Sequence, residues 1–156
     1  MSFATRADLL ARANAQKLAQ LAIPADFVFP DDAQALRQVI EDDSVLDHLP
    51  DDEREALFLA LDAIDKALAD ADALLMSYGI PADVQTSLLA RLAATVAYYY
   101  LCNIDHLTDE IKDAYEAVLD ILNKFAKGEI ALVPETPPEG DTGDVALIDS
   151  APRRYR

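Results

Sequence analysis

After Pro50 the apolar positions fall into an unbroken series, Leu57, Leu61, Ile64, Leu68, Ala71, Leu75 and Tyr78, spaced 4, 3, 4, 3, 4, 3. That spacing keeps one stripe of a helix apolar. It predicts a helix from Asp51 to Tyr78, about 40 Å long at roughly 1.5 Å per residue, with Gly79 and Pro81 as its stop. A second helix is expected to open near Pro81 and to present Leu88, Leu89, Leu92, Val96 and Tyr99 before a loop at Asn103 to Leu107. Thr108 then caps a third, whose Ile111, Tyr115, Val118, Leu122 and Phe125 are again spaced 4, 3, 4, 3, with Gly128 at the position after its end. Three long helices joined by short connections predict an antiparallel bundle.

Upstream, Thr5 followed three residues later by Asp8 forms a variant of the capping box. With Leu9, Leu10, Ala13, Leu18 and Leu21 on one broad face, it predicts a single helix from Arg6 to Ala22. Pro24 and Pro30 bracket an extended piece whose Phe27, Val28 and Phe29 are too apolar for a solvated loop, so they are expected on the core or on a neighbouring molecule. Asp31 or Asp32 caps a short helix carrying Ala35, Leu36, Val39 and Ile40. Beyond Gly128 lie two short apolar runs, Ile130 to Val133 and Val145 to Ile148, on either side of a stretch rich in Pro and Gly, too little apolar surface to fold alone. The reading is all-α: an antiparallel bundle of three long helices with an N-terminal helix and a short helix over 1–128, and an extended C-terminal arm over 129–156.

Length and composition agree with one domain. The chain has 156 residues, 52% of them hydrophobic, four Gly and no Trp, which favours closely packed helices over sheets. One cysteine, Cys102, excludes an intramolecular disulfide. The absence of a basic start before an apolar run leads to the expectation of a cytoplasmic product. No apolar run approaches the ~20 residues that cross a bilayer, so no membrane role is expected. Thirteen bases against 29 acids give a net charge of −16, a field that repels phosphate backbones and anionic lipid. Arg153, Arg154 and Arg156 fall in the last four residues, leaving ten bases for the preceding 152. The terminus is a basic tip on an acidic body.

Candidate chemistry is sparse. His48 follows Asp47 and His106 follows Asp105, and the residues three before them, Val45 and Asn103, complete no Glu-x-x-His metal pair. Cys102 sits beside tyrosines and Leu101, where a small buried hydrophobe serves as well as a thiol. No glycine-rich phosphate loop and no nucleophile elbow is present, and the acidic runs Glu41 to Asp43, Asp51 to Glu53 and Asp70 with Asp72 lack the alternation of a calcium loop. No catalytic, cofactor or metal residue is nominated, and no enzyme is expected. Tyr98, Tyr99 and Tyr100 cannot all face one core, because successive residues turn about 100°. Tyr98 and Tyr100, with Phe27 and Phe29, are candidate subunit contacts.

Several segments, in order, resemble a known family. The opening Phe3-Ala4-Thr5-Arg6-Ala7-Asp8-Leu9-Leu10, the run Ala67 to Tyr78 before Pro81, and Leu88-Leu89-x-Arg91-Leu92-Ala93 with Tyr98 to Tyr100 carry the likeness. So do Ala114-Tyr115 and the exit Phe125-Ala126-Lys127-Gly128-Glu129-Ile130-x-Leu132. Together they resemble the head-to-tail adaptor, or connector, family of Mu-like tailed phages and prophages. The resemblance implies a structural virion protein of the neck, made in the host cytoplasm and assembled as a ring of twelve copies beneath the portal protein. It also implies a stopper or tail-completion protein on the other face and DNA passing through without specific binding. Under that resemblance Arg153, Arg154, Tyr155 and Arg156 dock on the portal. A different reading of the same residues is a small, monomeric acidic inhibitor that occupies a basic cleft.

Overall fold

Thr5 begins the first helix as the pattern predicts. Its hydroxyl accepts from the Asp8 backbone N–H at 3.2 Å while Asp8 accepts from the Thr5 backbone N–H at 2.8 Å. A computed structural model describes residues 2–102 and 105–134, and every regular element among them is helical. These are α1 (Arg6–Arg12), α2 (Ala15–Ala22), α3 (Ala35–Glu41), a 3-10 helix (Asp43–His48), α4 (Asp51–Ser77), α5 (Ser87–Leu101) and α6 (Asp109–Ala126). No strand occurs among the described residues. The expected arm from 135 onward and the loop residues 103 and 104 lie outside them.

Three boundaries differ from expectation. The single helix expected over Arg6 to Ala22 is two, because Ala13 is extended and Asn14 opens a new helix by accepting from the Lys17 N–H at 2.7 Å. An asparagine side chain that competes with the helical backbone favours such a cap. Pro81 begins a turn rather than a helix, closed by Val84 N–H to Pro81 C=O at 3.2 Å, and α5 starts only after Thr86, whose hydroxyl accepts from Leu89 at 3.1 Å. Asp32 supports α3 from the preceding turn, accepting from the Gln34 N–H at 2.8 Å, while Gln34 itself makes no side-chain cap.

Both long helices that end in glycine close in the same way. Gly79 (φ 97°) and Gly128 (φ 80°) occupy the left-handed region. Gly79 N–H bonds to Met76 C=O at 3.0 Å and Ile80 N–H to Leu75 C=O at 3.5 Å; Gly128 N–H bonds to Phe125 C=O and Glu129 N–H to Lys124 C=O, both at 2.9 Å. These paired bonds are Schellman closures, which satisfy carbonyls that a helix end leaves without partners.

The stripe of α4 is core: Leu57, Ile64, Ala71 and Leu75 are fully buried and Leu61 and Leu68 nearly so. They meet Leu89, Leu92, Ala93 and Val96 of α5, which packs on α4, α1 and α6, while α2 packs on α4 and α3. Phe3 and Ala4 close the core at the N-terminus, and Leu132 is buried against it beyond α6. The buried hydroxyl of Thr95 is satisfied by the Arg91 carbonyl at 2.9 Å. Arg54 ties the 3-10 helix to α4 by donating to the carbonyls of Leu46 at 2.8 Å and Leu49 at 2.9 Å and to Asp51 at 3.0 Å.

Candidate functional site

The three tyrosines at the end of α5 divide as helical rotation requires. Tyr98 is half-buried and packs on the core. Tyr99 stacks flat on Tyr115 of α6, with ring centroids 3.9 Å apart and planes within 3°. Tyr100 is 38% exposed, its ring 6.0 Å from that of Tyr115. Partial burial, then a hydrogen bond with Tyr115, pushes the Tyr100 phenol up to about 12. Burial also raises Tyr98. Both shifts carry the Tyr98 and Tyr100 phenols further from neutrality.

Phe27 packs against the core, whereas Val28 and Phe29 are exposed. Phe29 stands between two clefts. One, of about 140 Å³, is lined by Gln16, Pro30 and Leu36, and the other, of about 580 Å³, by Leu21, Pro24 and His106. The structure therefore brings Phe29 and Tyr100 to the surface and leaves Phe27 and Tyr98 half-covered. Arg153, Arg154, Tyr155 and Arg156 lie outside the described residues.

The acidic runs have structural work within the chain. Asp42 accepts from the backbone and hydroxyl of Ser44 at 3.0 and 2.7 Å, which holds its carboxyl below the ordinary range. Asp51 to Glu53 fill the first turn of α4, where negative charge complements the helix dipole. Asp72 accepts from the Phe3 N–H at 2.9 Å. Among the described residues no cluster of three or more His, Cys, Asp or Glu side chains is arranged to hold a metal ion, and no helix is long and apolar enough to cross a membrane. Cys102 is half-buried, and that burial raises its thiol, away from the reactive thiolate.

One surface feature escaped the periodicity, and one residue of the expected apolar series proves exposed. Phe58 is 55% exposed and lines a cleft of about 460 Å³ with Arg6, Asp43, Asp47 and Asp62. Leu88, expected in the apolar series of the second long helix, is 41% exposed at the start of α5, beside Ser87, which lines a cleft of about 270 Å³ with Asp8, Arg12, Ala90 and Arg91. Each of these apolar residues adjoins a core position, Leu57 or Leu89, and one step along a helix turns it off the buried stripe. For Phe58, an apolar residue one step off the seam was the available signal.

No curated protein matches the chain. The family described as Bacteriophage Mu, Gp36 matches residues 3–147, nearly its whole length. The chain, an all-helical protein, belongs to that Mu-like phage family.

Proposed function

We propose that this protein is a head-to-tail adaptor: a structural component of the virion neck that forms a ring between the portal protein and a stopper or tail-completion protein. The observation that carries this reading is the family match over residues 3–147. In this reading α4, α5 and α6 act as an antiparallel bundle, the rigid body of each subunit, and residues 129–156 act as an arm. The subunit performs no catalysis and needs no cofactor. A net charge of −16 suits a conduit for DNA, since a negative wall offers phosphates no place to stick. The basic tip Arg153, Arg154, Tyr155 and Arg156 docks on the portal, where guanidinium groups pair with carboxylates and the tyrosine buries a rigid ring.

The test adds full-length protein, or protein lacking residues 151 to 156, to heads that carry a portal but no tail. The full chain is expected to bind as a ring visible at the portal vertex and to make the heads competent for tail joining. The truncated chain is expected to melt at nearly the same temperature and to bind more weakly. A full chain that leaves the heads bare, or remains a monomer bound to a soluble basic protein, would overturn the adaptor reading in favour of an inhibitor.

A further inference from the structure

A chain with 13 bases and 29 acids meets a copy of itself against mutual repulsion unless its cations are gathered where the copies touch. Four bases are committed within the subunit: Arg6 to Asp65 at 2.7 Å, Arg54 to Asp51 at 3.0 Å, Lys66 to Asp62 at 2.9 Å and Lys124 to Asp120 at 3.2 Å. Lys17, Arg37, Lys112 and Lys127 belong to no such pair among the described residues, and neither do Arg12 and Arg91. Both are exposed, and they line one cleft between α1 and α5. The acid beside them, Asp8, is engaged by Thr5 in the cap of α1. Ala11, Ala90 and Ala94 also line the cleft, and side chains this short let a partner approach closely. Exposed Leu88 adjoins the lining residue Ser87 and offers an apolar contact beside the cleft.

The opposite chemistry lies elsewhere on the same subunit. Exposed Phe58 lines the cleft between α1, the 3-10 helix and α4 together with Asp43 and Asp47, neither of which forms an ion pair within the described residues, while the two cations of that cleft, Arg6 and Arg54, are paired with Asp65 and Asp51, which leaves it net anionic. One surface is cationic with an exposed leucine, and the other is anionic with an exposed phenylalanine. A pair of different, complementary surfaces on one subunit is what a head-to-tail ring contact requires, whereas a two-fold dimer needs one self-complementary surface.

We propose that the Arg12–Arg91 cleft of one copy receives the Phe58–Asp47 cleft of a second copy, and that repetition of this contact closes the ring. The proposal rests on the ring reading above and names the surfaces that make it. Charge complementarity steers the copies and fixes their register, while Phe58 supplies the apolar centre and Leu88 an apolar contact beside it.

Two full-length variants test it: Arg12→Glu with Arg91→Glu, and Asp43→Lys with Asp47→Lys. Association is measured by sedimentation up to millimolar concentration at low salt, and by ring occupancy on portal-bearing heads, with helical content and melting temperature as folding controls. Each variant alone is expected to associate at least about tenfold more weakly than wild type. An equimolar mixture is expected to recover, because alternating subunits again place opposite charges at every contact. Variants that associate like wild type, or a mixture that does not recover, overturn the contact and leave the ring reading standing. A wild-type chain that associates neither in solution nor on heads overturns both.

Discussion

The backbone N–H of Phe3 donates to Asp72 at 2.9 Å across 69 residues of sequence, fastening the N-terminus to the C-terminal part of α4. The bond holds Phe3 where its ring is 3% exposed. Asp72→Ala removes a charged acceptor from a partly buried donor, and is expected to cost about 1.5 to 3 kcal/mol. Phe3→Ala is expected to cost more, about 3 to 5 kcal/mol, through the cavity it leaves. Chemical denaturation of the two variants and wild type checks both the values and their order.

Truncation within the α4 seam is expected to be severe. Ile64 is fully buried and Leu68 5% exposed, so Ile64→Ala and Leu68→Ala should each cost about 2 to 5 kcal/mol. Thermal unfolding should fall by several degrees for each, at about 2 to 4 °C per kcal/mol for a domain of this size. Phe58→Ala, by contrast, should leave the midpoint within about a degree, since surface changes of this kind stay near ±0.5 kcal/mol.

The glycine closures give a backbone prediction. An added Cβ at Gly79 meets Phe125 at 4.0 Å, an ordinary contact, and one at Gly128 meets nothing, so space is no obstacle at either site. What remains is the positive φ, which costs an alanine about 1 to 2 kcal/mol. Gly79→Ala and Gly128→Ala should therefore destabilise by similar amounts, measurable as a shift in the denaturant midpoint with an unchanged slope.

High pH should weaken the fold through Tyr100. Its phenol titrates at about 12 in the folded chain, above the ordinary value of 10.0, so folding favours the neutral form. The contribution is complete below about pH 10 and is lost as pH rises toward the folded value, because the unfolded chain releases the proton first. Ultraviolet titration of tyrosinate should show a late phase near pH 12, which Tyr100→Phe removes. A titration without a late phase, or one indifferent to the substitution, counts against this placement of Tyr100.

Local signals carried most of the element reading. The heptad-like stripe marked α4, Thr5 and Thr108 marked helix starts, and Gly79 and Gly128 marked ends, because each acts through bonds to residues three to five positions away. Asn14 was equally local but was hidden inside an apolar pattern that continues across the break between α1 and α2. Pro81 was ambiguous, since proline is common both just beyond the end of one helix and at the first residue of the next. The pairing of Arg6 with Asp65 and of Phe3 with Asp72 spans 59 and 69 residues, and no local spacing announces it. For the same reason the clefts holding Phe58 and Arg12 emerged only when α1 was placed against α4 and α5.

Along α4 and α5 the buried residues include seven alanines, Ala56, Ala60, Ala67, Ala71, Ala93, Ala94 and Ala97. Side chains this short let two helical backbones come near the lower end of the usual spacing of about 8 to 10 Å. A joint made in that way has little slack, because there are few long side chains to change rotamer and absorb a shear. The α4–α5 pair is therefore expected to bend and tilt as one beam, so that a load applied at one end of the subunit is passed to the other with little internal yielding.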